Sequence, residues 1–328
     1  MQDFNVKMNK KSERGGSWQR VACFLLLLAL LLGTLNVWCL HLWESREEMI
    51  PVKLKHLAGV QQEPENTLDL LVLGNSLSYT SVSNMDLWNS DGIAGYQCGH
   101  SGQTVQEAYE TLRIVLGQQC PRVVLLETNA LFRGRDGSMG WADQFDTWLA
   151  YRVPFLQLHD MWKSALFGVK RVEENYKGYT FRTQQDPYTG EEYMVEAEEE
   201  EGFHELSKRY MDRIVRLCRD KDVRLILFSS VSPVNYSQTR IDLLEAYCRE
   251  MDVEYIDFNA PGMREQVGID WTTDSLDGGD HLNHTGAKKI TAYLREYLRE
   301  EHLPDRRGDG RYVSWEEAGR AYLEAENG

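Results

Sequence analysis

Leu68-Asp69-Leu70-Leu71-Val72-Leu73-Gly74-Asn75-Ser76 is the stretch on which the fold turns. A short run this apolar, closed by a glycine, predicts a strand buried on both faces, because helices on either side of a parallel sheet leave no polar side. Gly74 permits a sharp turn, so Ser76 falls at a strand end where a helix opens. The pattern recurs outward from there. Ile93–Gln97 is a weaker strand, Val123–Leu126 (VVLL) a buried one, Val223–Phe228 (VRLILF) a fourth and Val253–Phe258 (VEYIDF) the last. Val105–Leu116, Leu206–Cys218, Ile241–Met251 and Thr285–Leu298 carry apolar residues at helical spacing. This alternation predicts an α/β fold with a mainly parallel sheet and helices on both faces. Active sites in such sheets lie at the carboxyl ends of the strands, which tells where candidate residues must fall.

Four candidates fall there. Ser76 follows the first strand; a serine at a helix start more often caps the helix, so alone it says little. His281 lies in Asp277-Gly278-Gly279-Asp280-His281-Leu282-Asn283-His284, just before the closing helix. A serine nucleophile needs a base to take its proton, and a carboxylate to orient that base. Asp277 can curl back across Gly278-Gly279, whereas the side chain of adjacent Asp280 diverges in extended chain; Asp277 is favoured and Asp280 stays open. Gly102, after the second strand, offers a backbone N–H, and Asn129, after the third, a side-chain amide. Together these two can stabilise the oxyanion of acyl transfer. A metal at His281 and His284 is the competing reading, but no HExxH or fuller ligand set accompanies them. His100, His159 and His204 are isolated, and no cofactor is expected.

At this point the sequence resembles the SGNH/GDSL hydrolases, named for Ser, Gly, Asn and His in four blocks. Gly74-Asn75-Ser76 is similar to the first block, with Asn in place of Asp. Ser101-Gly102-Gln103-Thr104 is similar to the second and Glu127-Thr128-Asn129 to the third, without its following Asp. Asp277 to His281 corresponds to the last, normally Asp-x-x-His. The resemblance implies a flavodoxin-like three-layer α/β/α sandwich over residues 67–302, with Ser76, His281 and an aspartate as catalytic residues and Gly102 and Asn129 as the oxyanion hole. It also implies an esterase or acyltransferase. Membrane-anchored relatives of this kind resemble D-alanine-transfer and polysaccharide O-acetylation proteins and act outside the cell, often beside a multi-spanning acyltransferase. The substrate expected is an acyl ester or acylated carbohydrate. The departures in the third and last blocks also admit a non-catalytic protein that partners such a system.

The remaining segments set location. Residues 1–20 carry Lys7, Lys10, Lys11, Arg14 and Arg20 against Asp3 and Glu13, and Val21–Leu42 then runs without formal charge apart from His41. That length crosses a bilayer, and the basic flank predicts a cytoplasmic tail (1–20), an anchor (21–43) and everything beyond outside. A cleaved signal peptide would need small residues, which Asn36-Val37-Trp38-Cys39 lacks. Residues 44–66 read as a stalk, 133–201 as an insertion that covers the site and ends in the acidic run Glu196–Glu201, and 303–328 as a polar tail with a short helix near Trp315–Leu323. A net charge of −15 argues against a nucleic-acid partner. Disulfides among Cys98, Cys120, Cys218 and Cys248 are permitted outside the cell, but their spacing gives no pairing.

Overall fold

In the computed structural model, the described residues are 2–45, 52–133, 137–153, 155–156, 176–196 and 202–328. They divide into two compact units, Met1–Pro51 with Leu149–Arg171, and Val52–Trp148 with Val172–Gly328. The first contains α1 (Gln2–Ser45), whose Trp18–Cys39 stretch has a mean hydropathy of 2.3 and is long and apolar enough to cross a membrane. Length and composition alone also suit a signal sequence.

The second unit is built on five parallel strands, β1 (Leu70–Leu73), β2 (Gly95–Gln97), β3 (Val123–Glu127), β4 (Arg224–Ser229) and β5 (Glu254–Asp257), in the order β2-β1-β3-β4-β5. Leu70 is in register with Gly95 on one side and Val123 on the other; Val123 in turn pairs with Arg224. This is the flavodoxin-like order, and the expected α/β sandwich stands. β1 and β3 are buried at every position because helices close both faces. The helices are α2 (Val52–Gln62), α3 (Ser76–Tyr79), α4 (Asn84–Asp91), α5 (Val105–Val115), α6 (Gly137–Ala150), α7 (Glu205–Asp220), α8 (Gln238–Met251), α9 (Pro261–Val267), α10 (His284–Tyr297) and α11 (Val313–Asn327). Their starts follow from local chemistry. Thr104 and Glu107 form a reciprocal capping box on α5, Ser237 caps α8, and Asn283 caps α10.

Two segments differ from their expected roles. Within the stretch read as a stalk (44–66), α2 buries Leu54, Leu57, Ala58 and Val60 and packs on α5. The C-terminal stretch (303–328) is not a loose tail, for Trp315 and Tyr322 of α11 are fully buried and Trp315 donates its indole N–H to the Gly95 carbonyl at 3.0 Å. Tyr312, Trp315, Gly319 and Tyr322 recur every three or four residues, so one helix face is apolar although the segment is polar on average. None of the six cysteines is disulfide-bonded. Of the insertion 133–201, residues 137–153, 155–156 and 176–196 are described, and the acidic run beyond Glu196 lies outside the described residues.

Candidate active site

Ser76 opens α3 directly after β1. Gly74, at φ +134°, makes the turn, and a Cβ there would sit 2.6 Å from Glu127 Cβ, so this turn is closed to other residues. The capping task falls to Asn75, whose Oδ1 accepts the Leu77 N–H at 3.0 Å. That leaves the Ser76 hydroxyl unspent on the helix, and it lies 2.7 Å from His281 Nε2.

His281 is held by its own loop. Gly278 and Gly279 both take positive φ, at 68° and 95°, and turn the chain so that Asp277 faces forward. Its Oδ1 accepts the His281 backbone N–H at 2.7 Å, and its Oδ2 lies 2.7 Å from ring Nδ1. With Nδ1–H donated to Asp277, Nε2 is left as the acceptor for the Ser76 proton. Asp280 Oδ2 stands farther from Nδ1, at 3.6 Å, and its Oδ1 accepts the Asn235 amide at 2.6 Å. Of the two aspartates left open by the sequence, the structure brings Asp277 to the imidazole.

The loop is braced from the insertion. Asp186 O accepts the Gly278 N–H at 3.0 Å, Gln184 O accepts from Asn283 Nδ2 at 3.2 Å, and Arg182 O accepts the His284 N–H at 2.6 Å. Residues 182–186 therefore support the histidine loop by backbone contacts. His284, the other member of the metal reading, points its Nδ1 to the Tyr179 hydroxyl at 3.1 Å and its Nε2 to Glu326 at 3.3 Å. Asp277, Asp280 and His281 have ligand atoms close enough to share an ion, but all three already engage one another, Ser76 or Asn235. Of the isolated histidines, His100 is buried near Glu107, His204 stands at the N-cap position of α7 without a side-chain capping bond, and His159 lies outside the described residues.

Gly102 and Asn129 stand at the carboxyl ends of β2 and β3. Gly102 is exposed at φ +68° with open space where a Cβ would be. Its loop is pinned by buried Gln103, whose Oε1 accepts the Gly74 N–H at 3.0 Å and whose Nε2 donates to the Cys98 carbonyl at 3.1 Å. The Tyr79 phenol lies near the side chains of both Ser76 and Ser101, so the Gly102 loop stands close to the nucleophile. Asn129 is buried; its backbone N–H donates to Glu127 Oε2 at 3.1 Å, and its Nδ2 donates to Asn235 Oδ1 at 3.0 Å, with a second N–H remaining on that nitrogen. Burial pushes the Glu127 carboxyl up to about 7, against hydrogen bonds from Tyr236, Asn129 and Ser230 and the charge of Arg133. Gln103, Tyr79 and Asn235 carry no role in the sequence reading. Asn235 follows β4, so the carboxyl-end rule that found the other candidates also covers it.

Ser76 and Asn129 leave the sheet from β1 and β3, the neighbours between which the strand order reverses. Ligands bind at such switch points. In its strand order and in the order of its four blocks, the chain resembles the SGNH/GDSL-type hydrolases.

Solved structures similar to it include acylhydrolases, esterases and lipases. A Bacteroides fragilis protein described as an acylhydrolase is 12% identical, with 75% of this chain and 95% of that one covered at a TM-score of 0.41. A psychrotrophic esterase from Pseudoalteromonas sp. is 13% identical, with 71% and 97% covered at 0.39. The lipase/acylhydrolase from Enterococcus faecalis is 12% identical, with 71% and 97% covered at 0.37. No family model matches the chain, and no curated protein matches it.

Proposed function

We propose that this chain is a serine acyl-hydrolase or acyltransferase acting on acyl esters. The observation that carries the reading is the continuous chain from Ser76 Oγ through His281 to Asp277, both steps 2.7 Å. Ser76 Oγ attacks the ester carbonyl as His281 Nε2 takes its proton, and Asp277 stabilises the imidazolium that forms. The Gly102 N–H and the remaining Asn129 N–H receive the oxyanion. Collapse breaks the ester C–O bond, His281 returns the proton to the departing alcohol, and water or a sugar hydroxyl then releases the acyl group from Ser76 by the same path.

The second part of the proposal is the setting. We place the domain outside the cell on a retained anchor with a cytoplasmic N-terminus, in keeping with the basic residues before the span. The substrate is read as an O-acyl group of a surface polysaccharide, and the partner as a multi-spanning acyltransferase. The resemblance to polysaccharide O-acetylation proteins is what favours an acylated carbohydrate over a fatty ester. A non-catalytic role fits poorly with a serine, histidine and carboxylate held at hydrogen-bond distances.

Hydrolysis of p-nitrophenyl acetate by the detergent-solubilised protein tests the enzyme reading. Turnover by the wild type that vanishes in Ser76→Ala is the expected result. Equal turnover by both removes Ser76 as nucleophile.

A further inference from the structure

We propose that Asn235 is a positioning residue of this site, holding the Asn129 amide for the oxyanion and tying it to the loop that carries His281. The inference rests on the reading of the site as a serine acyl-transfer centre.

Asn235 is buried in the loop after β4, and its two ends face different strand-end loops. Nδ2 donates to Asp280 Oδ1 at 2.6 Å and to Ser232 Oγ at 2.8 Å. Oδ1 accepts from Asn129 Nδ2 at 3.0 Å and from Arg133 Nη2 at 3.3 Å. A primary amide has two N–H donors and an oxygen with two lone pairs, so every valence is used. The orientation follows from chemistry. An ionised carboxylate only accepts, so the end facing Asp280 must be the nitrogen, and the end facing Asn129 must be the oxygen. Asn129 is then obliged to present its own nitrogen, with one N–H committed to Asn235 and the other at a fixed angle from it. Rotation of the Asn129 amide would instead offer an oxygen to the oxyanion, and Asn235 forbids that.

The same residue serves the base. Asp280 stands 3.6 Å from His281 Nδ1, a competitor for the position Asp277 holds. The hydrogen bond from Asn235 engages it from the other side. Ser232, three residues before Asn235, donates to the Asp280 carbonyl at 2.8 Å and so fastens the post-β4 loop to the histidine loop. The loops after β3 and β4 and the loop before α10 thus meet at one buried amide.

The test is a double-mutant cycle on the full-length protein with p-nitrophenyl acetate, reading kcat and KM separately. Removal of a single oxyanion donor costs roughly 10²–10³ in kcat, the loss expected of Asn129→Ala. Asn235→Ala is expected to lower kcat at least tenfold with KM within twofold, and Asn129→Ala with Asn235→Ala is expected to lose less than the product of the two single losses, because part of the effect of Asn235 runs through Asn129. Asn235→Asp, equal in volume but unable to donate to Asp280, guards against a folding defect and is expected to lower kcat at least tenfold as well. Wild-type kcat in either variant, or losses that multiply in the double variant, overturns the role of Asn235. An inactive wild type that also resists phosphonylation at Ser76 overturns the parent reading instead.

Discussion

Asp277 grips His281 twice, with one carboxylate oxygen on the backbone N–H and the other on ring Nδ1, each at 2.7 Å. The grip spans four residues rather than the three of the Asp-x-x-His pattern, and the left-handed pair Gly278-Gly279 takes up the additional one. One carboxylate thereby fixes both the ring and the backbone that carries it.

Asp277→Asn keeps this shape but replaces one acceptor oxygen with a donor, which favours the wrong imidazole tautomer. Loss of about 10³–10⁴ in kcat is expected, by analogy with the aspartate of serine-protease triads. Asp280→Asn is expected to lose about tenfold or less, since it leaves the Asp277 contacts in place. Steady-state kinetics on the two variants separates the aspartates; a reversed ranking would assign the orienting role to Asp280.

Gln103→Ala strips the Gly74 N–H and the Cys98 carbonyl of their buried partner. Each unpaired buried group costs about 1–3 kcal/mol. A lower thermal midpoint is expected together with reduced kcat, because the Gly102 loop loses its tether to β1. A variant as stable and active as the wild type would show the clamp to be dispensable.

Trp315→Ala tests whether residues 303–328 belong to the folded unit. The indole is fully buried beside Trp88 and Tyr312 and donates to Gly95 of β2. Truncation of a buried tryptophan costs about 3–5 kcal/mol, so a fall of many degrees in Tm is expected. No change would mean that α11 is detachable.

Glu127 makes stability depend on pH. Its carboxyl is raised by burial from 4.5 to about 7, so between those values the folded chain holds a proton that the unfolded chain has released. Stability is therefore full at low pH, falls as pH rises through that window, and reaches its floor above it. Glu127→Gln removes the titration, and the Tm of the wild type relative to this variant should drop between pH 5 and pH 8. Parallel Tm curves would exclude a raised Glu127.

The sheet was legible because burial on both faces writes itself into composition. All five strands and the helices after β2, β3, β4 and before the C-terminal segment lie within a few residues of where apolar runs and spacing put them. Ser76 and His281 were legible because the carboxyl-end rule narrows the chain to a few loops. Asn235 was hidden, since an asparagine in a serine-rich loop looks like a turn residue, and its role appears only when β3 and β4 lie side by side. The α11 face was hidden by averaging, because three aromatics spread over eleven residues are diluted by charged neighbours that face solvent. The stalk reading failed for the same reason, with the apolar face of α2 lying among Lys53, Lys55 and His56.

The central claim is that Ser76 is a nucleophile activated by His281. Treatment of the purified protein with a fluorophosphonate, followed by peptide mapping, measures this without knowledge of the substrate. The account predicts one phosphonyl adduct, on Ser76, that forms far more slowly in His281→Ala. No adduct under conditions that label a control serine esterase, or an adduct on another residue, would contradict it.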